Sequence, residues 1–303
     1  MKEQCKYCGG NCPNDRGDNL CDGFAGDIDG LYTDALETVS LVGSIPTPAS
    51  NLIVDNQQKI CYINTMNLKP INLFNFPTFF VGGFVRDHFL CVKSKDVDLV
   101  MVAPDFDTMV AEIERVGGEI FQARPEFLVA RAMVPGFGAV DFALPRSDGE
   151  YNDGRHPEST DIADSIETDL SRRDFTMNAV AVNVKTLEVV DPFLGKFDAL
   201  DGVISFVGKA KDRLNEDALR GFRAVRFAVV KRMGMQSSTR EAVASMVASD
   251  FSGVSTERIR DEVGKMFAKN TSAAIGTLFQ DFPVLGDLML DRGIWLKPTS
   301  EKA

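Results

Sequence analysis

From Thr78 onward, apolar and polar residues alternate regularly enough to be read as elements. Residues 78–81 are a short apolar run ending at Gly82-Gly83, which predicts a buried strand closed by a turn. A helix is expected around 84–91, and 97–102 (Val-Asp-Leu-Val-Met-Val) reads as the next strand. Met109, Ile113 and Val116 fall at helical spacing, which predicts an amphipathic helix over 105–116. Residues 127–134 and 138–144 flank Pro135-Gly136 and read as a hairpin. A polar loop rich in Asp, Gly and Pro covers 146–164. Helices near 165–172 and 174–178 and strands near 179–184 and 187–190 follow, and from about Lys211 the chain reads as helical throughout. Strands interleaved with helices predict an α/β unit over 57–208, with a helical unit over 209–303.

The chain before this is different in kind. Residues 43–56, with two prolines and small polar residues, read as a linker, and 57–77, with Pro70, Pro77 and four Asn, look irregular. Residues 1–42 hold Cys5, Cys8, Cys12 and Cys21. The Cys5-x2-Cys8 pair beside Gly9-Gly10 is similar to a metal knuckle, and Cys12 and Cys21 complete a four-sulfur set, so a zinc-binding module is expected. Reduced thiols on a tail, or a disulfide pair, are the alternatives.

Composition narrows the class. The 303 residues are 44% hydrophobic and 25% charged, ordinary values for a globular protein, with length for roughly two domains. No apolar run approaches the ~20 residues that span a bilayer, and Met1-Lys2-Glu3-Gln4-Cys5 has no apolar signal core, so a cytoplasmic protein off the membrane is expected. A net charge of -11 disfavours general nucleic-acid binding. The charge is uneven, however. Residues 1–40 carry three Lys/Arg against eight carboxylates, whereas 209–270 carry 13 against 8, so any polyanion is expected on the later half.

Chemistry concentrates in Val81-Gly82-Gly83-Phe84-Val85-Arg86-Asp87 and Lys95-Asp96-Val97-Asp98-Leu99. Two glycines after a strand let backbone approach a phosphate closely, with a helix N-terminus aimed at it. Asp96 and Asp98, two apart on a strand, project from one face. Asp141, in the hairpin, offers a third carboxylate. Carboxylates converging beside a phosphate-binding turn suit Mg²⁺-dependent phosphoryl or nucleotidyl transfer. Arg172 and Arg173 are expected to end one helix while Asp174 caps the next, gathering cations and a carboxylate at one corner. Asp217 and Arg220, three apart, are expected as neighbours on one helix, presenting acceptor and donor together. A surface ion pair is the plain alternative for them. Arg223 and Arg226 extend that face. His88 and His156 have no partner at ligand spacing.

With twelve residues between Gly83 and Asp96, the first motif resembles the signature of the polymerase-β-like nucleotidyltransferases. The resemblance narrows with Asp153-Gly154-Arg155-His156-Pro157, then Asp169-Leu170-x-Arg172-Arg173-Asp174-Phe175-Thr176-Met177-Asn178-Ala179. Asp191-Pro192-Phe193, Glu216-Asp217-x-x-Arg220-x-x-Arg223 and Val254-Ser255-x-Glu257-Arg258-Ile259 continue it in order. From about 79 to 270 the chain resembles the bacterial CCA-adding enzyme and poly(A) polymerase family. The resemblance implies a nucleotidyltransferase head with a mixed sheet, a short all-helical neck, and Mg²⁺ on Asp96 and Asp98 with Asp141 nearby. It assigns nucleotide binding to Gly82, Gly83, Arg86, Arg172, Arg173, Asp174, Asn178, Asp217, Arg220 and Arg223, with Asp217 and Arg220 as the protein template for CTP and then ATP. It implies tRNA as partner.

The chain departs from the family in its Cys-rich start, in the irregular 57–77, and in carrying only residues 271–303 beyond the neck, where the family has a long body and tail. A compact, viral version of the enzyme would look like this, and a homodimer or partner is one way to replace the missing grip on tRNA. CMP and AMP addition to tRNA 3′ ends is the expected activity. A poly(A) polymerase or A-adding enzyme is the close rival, and an inactive RNA-binding module is a third reading.

Overall fold

The computed structural model describes residues 71–94, 96–148 and 160–296. The four N-terminal cysteines, the linker at 43–56 and His156 lie outside the described residues.

Strand β1 (Thr78–Val81) is buried at every position, as its unbroken apolar sequence requires of a central strand. It runs into helix α1 (Gly82–Phe89), and β2 (Val97–Met101) pairs antiparallel with β1. Helix α2 (Phe106–Arg115) is started by Asp105, whose side chain accepts from the Thr108 amide, and it buries Met109 and Ile113. Strands β3 (Glu119–Arg124), β4 (Val129–Val134) and β5 (Gly138–Ala143) follow as antiparallel neighbours, and β5 lies parallel to β2. Short strands β6 (Arg146–Asp148) and β7 (Thr160–Ile162) pair where a loop is expected from the sequence. Helix α3 (Ile166–Ser171) precedes a 3₁₀ turn at Thr176–Asn178, and β8 (Ala181–Asn183) and β9 (Val189–Val190) complete a seven-stranded mixed sheet ordered β3-β4-β5-β2-β1-β8-β9.

The alternation in β4 explains which face is open. Ala130, Ala132 and Val134 are buried under α2, while Arg131 and Met133 are exposed on the opposite face. Register then places Arg131 against Asp141, and Asp141 against Asp98, on one row across three strands.

The head ends with α4 (Gly195–Asp201) and β10 (Val203–Ile204), and the helical part follows with α5 (Ala210–Glu216), α6 (Leu219–Lys231) and β11 (Gly234–Met235). Helices α7 (Ser237–Ala244), α8 (Thr256–Gly276, kinked at Asn270) and α9 (Pro283–Asp291) follow. One apolar cluster joins Phe175, Met177 and Phe206 of the head to Phe222, Val225, Val263 and Leu285 of the helices. No described helix is long and apolar enough to cross a membrane.

Two elements escape the sequence pattern, and two expectations need correction. Residues 119–124 form an edge strand that the apolar pattern hides, because a bulge between Ile120 and Gln122 breaks its alternation. Helix α4 has no apolar stripe to announce it. Gly195 opens it because a Cβ there would lie 1.9 Å from the Thr176 carbonyl oxygen. The region after Lys211 is not helical throughout, since β10 and β11 pair in parallel and tie α6 back to the head. Asp174 caps no helix: the 3₁₀ turn starts after Phe175.

Candidate active site

The site assembles where β1 meets α1. Gly82 has φ +65°, a conformation that favours glycine, and a Cβ there would sit 3.1 Å from Arg173 Nη1 and 3.5 Å from Asp98 Oδ2. The absence of a side chain at Gly82 therefore lets a cation and a carboxylate approach the strand–helix turn together.

Arg172 and Arg173 are aimed by one residue. Asp169 is fully buried; its Oδ1 accepts from Arg172 Nε and Nη2 at 3.0 and 2.5 Å, and its Oδ2 accepts from Arg173 Nε and Nη2 at 3.1 and 2.8 Å. Burial alone would raise this carboxyl, but Arg173 and Arg172 outweigh it and hold its pKa low. Arg173 Nη1 also donates to the Asn178 carbonyl. Sequence reasoning missed Asp169, although its spacing of three and four residues from the two arginines was visible.

Asp98 has its pKa raised, first by burial and then by Asp141, with a smaller push from Asp96 against the pull of Arg173 and Arg131. Asp96 is exposed at the strand's start. Among the described residues no three His, Cys, Asp or Glu side chains gather closely enough to enclose a metal. Mg²⁺ does not need such a cage, because it binds through one or two carboxylates plus substrate phosphates. Asp98, whose ionised form is disfavoured first by burial and then by Asp141, is a carboxylate that a divalent cation relieves, so the donor chemistry fits that ion. A cavity of about 500 Å³ opens beside them, lined by Asp98, Asp141, Arg124, Arg131, Arg172 and Arg173.

Arg86, Asn178, Asp174 and Arg223 form a linked set that is not among the residues lining this cavity. Arg86 points inward: its Nη1 donates to Asn178 Oδ1 at 2.7 Å and its guanidinium lies over Phe227, 5.1 Å from the ring centroid. Asn178 Nδ2 donates to Asp174 Oδ1, and Arg223 donates to Asp174 Oδ2 at 2.8 and 2.6 Å. Against its burial, Arg223, Asn178 and the Phe175 amide bring Asp174 down to about 2. Arg226 pairs with Glu262 of α8, which also faces Arg223.

Asp217 and Arg220 are not neighbours on one helix. Asp217 ends α5 in extended conformation, accepts from the Leu219 amide, and is paired with Arg258 at 2.7 Å. Arg220 is in α6 and donates to Glu216 at 2.6 Å and to the carbonyls of Arg213 and Arg172. Neither is among the residues lining the cavity. Arg220 connects to it through Arg172.

A mixed sheet with a strand–Gly-Gly–helix turn, paired carboxylates and an arginine corner defines a nucleotidyltransferase head. Residues 78–205 match the family "Poly A polymerase head domain", so this head is of the kind found in the CCA-adding enzyme and poly(A) polymerase family. A CCA-adding enzyme of Lactobacillus delbrueckii subsp. bulgaricus is 34% identical over 212 residues, 70% of this chain and 50% of that protein. One of Geobacillus thermodenitrificans is 32% identical over 76% of this chain and 55% of its own length. The Bacillus stearothermophilus CCA-adding enzyme, solved in complex with CTP, superimposes with a TM-score of 0.60 at 28% identity, over 69% of this chain and 49% of that one. The Thermotoga maritima CCA-adding enzyme, complexed with tRNA, gives 0.56 at 26% identity, over 69% of this chain and 47% of that one. The chain spans about half the length of the curated relatives it matches.

Proposed function

We propose that the protein adds CMP and AMP to the 3′ end of tRNA without a nucleic-acid template, using CTP and ATP. The observation that carries this is the convergence of Asp98 and Arg173, both lining an arginine-rich cavity, on the Gly82 turn. The relatives named for this reaction, including ones solved with CTP and with tRNA, support it.

In this reading the triphosphate lies along Arg172 and Arg173, which Asp169 holds in fixed orientation, so part of the ordering cost is met before the nucleotide arrives. Asp96 and Asp98 would hold Mg²⁺, and when bound there it would supply Lewis-acid stabilisation of charge on the α-phosphate and of the primer oxyanion. The RNA 3′-oxygen bonds to the α-phosphorus as the bond to the departing pyrophosphate breaks, the hydroxyl proton passes to water, and Asp98 and Asp141 align that oxygen. Asp217 accepts from the exocyclic amine that cytosine and adenine share, and Arg220 donates to the adjacent ring nitrogen. Arg258 and Glu216 set the directions of these two side chains.

The four N-terminal cysteines are proposed as a Zn²⁺ site and a homodimer as the assembly. Purified chain given a tRNA transcript ending at the discriminator base is expected to incorporate CTP, and ATP only after CTP. Incorporation of ATP in long runs with CTP refused would make it a poly(A) polymerase instead.

A further inference from the structure

The chemistry above uses Asp141 but gives no role to Arg131, its ion-pair partner. Arg131 Nε and Nη2 donate to Asp141 Oδ1 and Oδ2 at 2.5 and 3.0 Å, so the guanidinium engages both carboxylate oxygens and places its positive charge against them. Asp141 is the in-register neighbour of Asp98, and Arg131 is the in-register neighbour of Asp141, all on the open face of the sheet. The charge of Arg131 is felt by Asp96 and Asp98 as well as by Asp141. Arg131 and Asp141 both line the cavity and are about half exposed, 47% and 39% by side chain. A pair so open to water is held weakly and exchanges partners readily. A phosphodiester oxygen pair matches the same guanidinium fork.

We infer that Arg131 is a positioning residue: it keeps Asp141 off the metal until the terminal phosphodiester of the RNA primer takes its guanidinium and frees Asp141 to join Asp98. This rests on the proposed transfer to an RNA end and adds a reason for the enzyme to stay idle without one. Metal and RNA are then coupled, each tightening the other by the same factor. Arg124, exposed on β3 and lining the same cavity, offers the next phosphate a second cation.

The test is Mn²⁺ binding to the full chain, followed by the electron-paramagnetic signal of free ion, with the Asp98→Ala chain as baseline. It is run with and without a saturating tRNA transcript whose 3′-hydroxyl has been removed. In the wild type the RNA is expected to tighten Mn²⁺ on the order of fivefold to tenfold. Arg131→Gln is expected to bind Mn²⁺ tightly already, with most of the RNA effect gone. Asp141→Asn, which breaks the same pair from the other side, is expected to bind weakly in both conditions and decides the matter if Arg131→Gln does not fold. An RNA effect of equal size in wild type and in either folded variant overturns the inference, even where Arg131→Gln binds more tightly overall, because simple charge loss would do that. Incorporation of nucleotide by the wild type is scored separately, so a failed latch is distinguishable from a failed function.

Discussion

Replacing Asp169 by Asn removes one buried charge and leaves two arginines without their shared partner. Asp169 accepts four hydrogen bonds from Arg172 and Arg173. Taking one partner from a buried pair costs about 3–5 kcal/mol. The arginine side chains keep 24% and 17% exposure, so water recovers part of this, and about 2–3 kcal/mol is the expected loss. For a folded unit of this size that is a midpoint lower by roughly 5–10 °C. Function should suffer separately, because guanidiniums no longer fixed by two-pronged bonds must be ordered by the incoming triphosphate. An increase in KM for CTP and ATP of about tenfold corresponds to about 1.4 kcal/mol of lost orientation. Urea or thermal unfolding reads the first effect and steady-state incorporation below the new midpoint reads the second. An Asp169→Asn chain that unfolds within 1 °C of wild type and keeps its KM would refute the idea that this carboxylate organises the site.

Three further outcomes are expected. Asp174 is held at about 2 in the folded chain against about 3.9 unfolded, so the unfolded state binds its proton first and stability falls as pH drops from ~5 towards ~2. Urea midpoints against pH should show that loss, and Asp174→Asn should flatten the slope; a slope unchanged in Asp174→Asn contradicts it. Asp217→Ala should relax selection against UTP and GTP, whose carbonyls face Asp217 with acceptor against acceptor, an unpaired contact worth about 1–3 kcal/mol, and Arg258→Ala should shift preference the same way. Rates with all four triphosphates check it, and an unchanged order in both folded variants means this junction does not read the base. Elemental analysis of chain purified reduced and without chelator should find about one Zn²⁺ per chain, and metal-free protein would leave the cysteines as plain thiols.

How much of this was legible depends on the kind of contact. The strand–Gly82–helix turn and the hairpin carrying Asp141 are local patterns, and the structure keeps both, whereas Asp96, expected on one strand with Asp98, lies just before the strand that begins at Val97. The partners were not legible, because they come from far along the chain: Arg258 reaches Asp217 across 41 residues and Arg223 reaches Asp174 across 49. A helical pattern running through 210–231 also hides the break at Asp217, because the residues around it are ordinary helix formers and the interruption is imposed by Arg258 and the Leu219 amide. Arg86, a nucleotide-binding candidate by resemblance, donates to Asn178 and lies over Phe227, contacts that only the packing of distant residues reveals.

The most direct test sequences the 3′ ends of a tRNA transcript lacking its last three nucleotides after incubation with the chain, CTP, ATP and Mg²⁺, beside the same reaction with Asp98→Ala. The account predicts ends completed as C-C-A by the wild type and unchanged ends with Asp98→Ala, while the variant still binds CTP. Unextended ends with the folded wild-type chain, or extension by Asp98→Ala at the wild-type rate, would contradict it.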